Sequence, residues 1–195
     1  GIFSKGCRVM NIVQIINQHH FALKRAIEQS SVQQRKSLVA AIFSFYLKLP
    51  YFKETVEKHY QIKLDQQQIL VDIAQNKLRD YQAKIQQANA LVDEYANDSE
   101  HGYEELEALE TMALDGFFML LSDQHDAQNL IGLFSSIIEV LDYYENFSDD
   151  PSYWNGVLAQ EIAFQEKMML EITSEKIFDE STYRERYQEI HFTDL

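Results

Sequence analysis

The stretch Pro151-Ser-Tyr-Trp154-Asn-Gly-Val-Leu158-Ala-Gln-Glu161-Ile-Ala-Phe-Gln165-Glu-Lys-Met-Met169-Leu-Glu-Ile172 decides the fold. At 100° per residue Trp154, Val157, Leu158, Met168, Met169 and Ile172 form one apolar stripe, the mark of an amphipathic helix. Glu161 and Gln165 fall in the middle of that stripe and are expected to face inward. A buried carboxylate without partners is costly, so Glu161 must find donors, take up a proton or line a wet pocket. Two roles stay open: a hydrogen-bonded structural link across the core, and a ligand or catalytic site.

Working outward, Leu130, Leu133, Phe134, Ile137, Ile138, Leu141 and Tyr144 repeat the same spacing, and Ser148-Asp149-Asp150-Pro151 breaks it as a loop. Before that, a helix is expected from Gly102 to about Ser122. Its segment Met112 to Leu121 holds one charge in ten residues and reads as central. That charge, Asp115, projects away from Ala113 and Phe117, so it either reaches solvent or pairs with another helix. Gly116 beside it permits close helix approach. Asp65 with Gln68 is an N-cap signal, and Leu70, Ala74, Leu78, Tyr81, Ile85, Ala88, Val92 and Tyr95 follow like a heptad seam. With no Gly or Pro from 51 to 101, residues 65–96 read as one helix or two, ending at Asn97-Asp98-Ser99.

Towards the amino end, Pro50 to about Tyr60 reads as a short helix with proline in its first turn. Ser30 or Ser31, with Gln33 or Gln34, caps a helix reaching about Lys48. Ile12, Ile15, Ile16, Leu23, Ala26 and Ile27 share one face of the first helix, with His19 near its centre and His20 at its margin. A satisfied core histidine is the plainer reading of His19. The polar tail from Thr173, with Ile177, Phe178, Tyr183, Tyr187 and Ile190, supplies one last short helix. Residues 1–9 are set aside as a flexible segment. Residues 10–195 are expected to form a single all-α domain, a bundle of about seven to eight helices.

Composition agrees. Gly and Pro total 8 of 195 residues, about a third of ordinary usage, which leaves a β-rich fold short of turn residues. The net charge of −14 excludes general binding to nucleic acid or to anionic membranes. No run approaches the ~20 apolar residues a membrane span requires. Cys7 is the single cysteine, and a reducing cytoplasm is expected. No phosphate loop, nucleophile elbow or metal-ligand spacing occurs, so no cofactor, metal or catalytic residue is assigned.

Charge is unevenly placed. Residues 1–98 carry a net +4 and residues 99–195 a net −18, and the interval between Lys84 and Lys167 holds 18 acidic residues without a Lys or Arg. Such a stretch serves as a solvated surface, as a docking face for a basic protein or a phosphate-mimicking surface that competes for a nucleic-acid-binding protein, or as a cation-dependent surface.

Val157 to Leu170, with a Glu and a Gln four apart, resembles the carboxy-terminal signature of the bacterial domain of unknown function 416 family. Ala113-Leu-Asp115-Gly116 before an apolar helix is similar to that family's central Leu-Asp-Ala stretch, and Leu49-Pro50-Tyr51-Phe52 to its early Pro-Asn-Tyr element. The acidic-Arg pair expected before the proline is missing, with Phe45, Tyr46 and Lys48 in its place, and no Asn follows Pro50. The resemblance implies an all-helical bacterial cytoplasmic protein of about 200 residues and no established activity.

The leading expectation is therefore a noncatalytic interaction or regulatory module with an acidic docking surface. The alternative is an enzyme or small-ligand-binding protein with an internal pocket around Asp115 and Glu161, joined by Gln165 and His19. The sequence leaves oligomeric state open, a homodimer included.

Overall fold

A computed structural model describes residues 9–96, 108–121, 127–175 and 180–192. The expected flexible segment, apart from Val9, lies outside the described residues, as do Asn97 to Ser99, Gly102, Ser122, Ile177 and Phe178. Nine helices and no strand occur among the described residues: α1 (Val9–Gln29), α2 (Val32–Tyr46), α3 (Phe52–Tyr60), α4 (Gln66–Ala74), α5 (Arg79–Ala96), α6 (Ala108–Leu120), α7 (Ala127–Phe147), α8 (Pro151–Thr173) and α9 (Glu180–Gln188). The protein is all-α.

Capping chemistry sets the boundaries. Ser31 accepts from the Gln34 amide while the Gln34 side chain accepts from the Ser31 amide, a reciprocal box that starts α2. Asp65 caps α4 through the Gln68 amide, and Asp150 caps α8 ahead of Pro151. Residues 65–96 form two helices, not one. Asn76 takes a left-handed φ of 56°, its amide donates to the Ile73 carbonyl, and the Lys77 amide donates to the Asp72 carbonyl. These are the two bonds of a Schellman stop, with asparagine where glycine is usual. Tyr81 then donates to Asp72 across the corner at 2.5 Å; burial and the Asp72 carboxylate push its phenol up to about 12. The third helix begins two residues later than its proline suggests, because Tyr51 adopts φ 63° and ends the turn.

Buried apolar residues from all nine helices belong to one cluster. α7 and α8 form an antiparallel hairpin, as two pairings show: Tyr144 against Trp154, ring centroids 4.5 Å apart, and the Gln165 side chain against the Phe134 carbonyl. α1 lies on this hairpin. α2 packs on α6, α7 and α9, and its residues Ala41 to Tyr46 are all buried. Centrality therefore belongs to α2. α6, expected to be central, keeps a solvent stripe of Thr111, Asp115 and Phe118, the last half exposed.

Candidate functional site

The site is built outward from Glu161, whose residue is wholly buried in α8. Arg186 of α9 donates to its Oε2 through Nη2 at 2.8 Å and Nε at 3.2 Å. Tyr187 Oη donates to Oε1 at 3.0 Å, and Gln165 Nε2 donates to the same oxygen at 3.3 Å. Burial pushes the Glu161 carboxyl above the usual range, while Arg186, Tyr187 and Gln165 pull it back. The guanidinium in turn lies over aromatic surface, its Cζ 4.8 Å from the Phe164 ring centroid and 5.5 Å from that of Tyr187.

Gln165 carries this order to the surface. Its Nε2 donates to Glu161 and, at 3.2 Å, to the Phe134 carbonyl. Both are acceptors, so the amide nitrogen must lie on their side and the amide oxygen on the other. There Oε1 accepts from His19 Nε2 at 2.8 Å. His19, half-buried, is the point where the chain of hydrogen bonds meets a groove of about 390 Å³ between α1 and α7.

Ile16, Asn17, His19 and His20 form one wall of that groove, Ser135, Ile138, Glu139 and Asp142 the other, and Leu158 of α8 its floor. His20 Nδ1 and Ser135 Oγ meet at 3.2 Å. Desolvation pushes the Asp142 carboxyl up, and the Asn146 amide donating at 3.3 Å offsets part of the rise. Among the described residues, no Lys or Arg lines the groove. Ile15 and Ile16 are 45% and 42% exposed, Ile16 lines the groove, and among the described residues of α1 full burial begins only at Leu23.

Three of the four residues singled out by sequence, His19, Gln165 and Glu161, thus form one connected chain. Asp115 is not part of it. It is exposed on α6, with no hydrogen bond among the described residues, which removes the expected internal pocket around Asp115 and Glu161. The solvent alternative holds because its neighbour Gly116, not Asp115, faces the packed side. A Cβ on Gly116 would come within 2.7 Å of Tyr46 Cζ and 2.8 Å of Cδ1.

Arg186, Tyr187, Glu139 and Asp142 were not found from sequence. For Arg186 a signal existed: residues 99–195 contain only Lys167, Lys176, Arg184 and Arg186 as cations for an inward Glu161. Glu145 was also missed; it is buried in α7, and neither carboxylate oxygen has a hydrogen-bond partner among the described residues. Among the described residues, no group of three or more His, Cys, Asp or Glu is placed to hold a metal ion. Comparisons with protein-family models, with curated proteins and with solved structures give no match.

Proposed function

We propose that the protein is a noncatalytic binding module whose α1–α7 groove takes a small organic cation. The observation that carries this reading is the lining itself. Glu139 and Asp142 line the groove with Ile16, Ile138 and Leu158, and among the described residues the two imidazoles are its only basic side chains. A volume of about 390 Å³ suits a small molecule, with apolar walls for its body and few polar groups to orient it. Ser135 and His20 resemble a nucleophile and base, but no acid among the described residues holds the other ring nitrogen of His20, and a base so placed lacks its orienting group.

Calorimetric titration with n-hexylammonium, against hexanol as the uncharged control, tests the reading. The ammonium should bind and the alcohol should not, and Glu139→Gln with Asp142→Asn should weaken binding about tenfold or more. Because burial raises the Asp142 carboxyl, binding should tighten as pH rises through the upper carboxylate range and ionises it. Equal binding of both ligands, or affinity unchanged in the double variant, would refute it.

A second reading, docking of a basic protein, draws on the acidic interval between Lys84 and Lys167. Glu145 and Glu161 are buried and lie outside any such surface. Kinship with the domain of unknown function 416 family, and with it a bacterial and cytoplasmic setting, is proposed on the quoted motifs alone. No helix among the described residues is long and apolar enough to cross a membrane.

A further inference from the structure

Resting on the cation-binding reading, we infer that the groove selects a free primary ammonium over a quaternary one, because the buried Glu161–Gln165 pair fixes His19 in the form that offers Nδ1 as an acceptor. The steps are chemical. Arg186 and Tyr187 hold the Glu161 carboxylate in place, and that carboxylate together with the Phe134 carbonyl claims both N–H bonds of the Gln165 amide. The remaining amide oxygen accepts only, so the neutral His19 ring must carry its hydrogen on Nε2. Nδ1 then keeps its lone pair, and among the described residues it has no protein partner. His19, Glu139 and Asp142 all line the groove, and each carries an acceptor that an ammonium can use.

A primary ammonium has three N–H donors to meet them. A quaternary ammonium has none, and it is recognised instead by the faces of aromatic rings. Among the described residues, no Phe, Tyr or Trp lines the groove.

Three probes test the inference by calorimetry on the full chain: n-hexylammonium, hexyltrimethylammonium, and Nα-acetyl-lysine methylamide as a peptide-borne ammonium. Hexylammonium is expected to bind about tenfold or more tightly than its trimethylated analogue, and His19→Phe should erase most of that preference. Equal affinity for the primary and quaternary ions would overturn the selectivity while leaving the cation groove standing. Binding of neither would overturn the groove and the selectivity together. Tighter binding of the lysine mimic than of hexylammonium would overturn the free-amine assignment in favour of a protein partner.

Discussion

Replacing Arg186 by methionine is expected to destabilise the protein by about 3–5 kcal/mol, the cost of leaving a buried carboxylate without its cation. Glu161 has no exposed surface, and Arg186 supplies two of its four hydrogen bonds. Methionine keeps much of the packing against Phe164, so the loss reports charge and hydrogen bonding more than volume. The variant should also acquire a distinctive pH dependence. Burial already raises the Glu161 carboxyl, and without Arg186 it rises further. The folded state then holds a proton that the unfolded chain releases in the ordinary carboxylate range. Stability is therefore greatest at or below that range, and it falls as pH climbs towards the raised folded value. Urea midpoints measured across acid to neutral pH check this sign. Adding Glu161→Met to Arg186→Met should recover much of the loss, because an apolar pair costs far less than an orphaned charge. A double variant as unstable as the single one would show that the ion pair is not what Arg186 contributes.

Gly116→Ala should cost about 2–3 kcal/mol, although alanine favours a helix over glycine by about 1 kcal/mol. The new methyl group would overlap the Tyr46 ring, with Cζ and Cδ1 at 2.7 and 2.8 Å. Tyr46 cannot easily yield. It is wholly buried and packed against Phe45 and Phe52 at centroid distances of 5.5 and 6.0 Å. Thermal unfolding should show a drop of about 4–12 °C for a chain of this size. Gly156→Ala is the matched control: beyond its chain neighbours and its own helix backbone, no atom of the described residues lies within 4 Å of its Cβ position, so the helix preference alone should act and stability should hold or rise. Equal effects at the two glycines would contradict the close approach of α6 to α2.

These positions show how far the chain's pattern reaches. The inward phase of Glu161 and Gln165 was legible because a long helix samples its apolar stripe many times, and both residues are buried. What neutralises Glu161 was not legible, because Arg186 sits 25 residues on in a polar tail whose docking depends on Tyr187 and Ile190 packing into the core. Asp115 was ambiguous for the opposite reason. α6 is apolar around most of its girth, so the pattern did not say which side is wet. The break inside residues 65–96 could be allowed for but not located, because asparagine, not glycine, occupies the left-handed position at Asn76. The groove is a property of how α1 seats on α7, and local periodicity carries no record of that.

The account's centre is that a buried carboxylate orders an amide and the amide orders His19. Long-range proton–nitrogen correlation spectra of the His19 ring, recorded where it is neutral, read this directly. The account predicts the hydrogen on Nε2 and a bare Nδ1 in the free protein. A ring protonated on Nδ1, or an even mixture of the two forms, would contradict it.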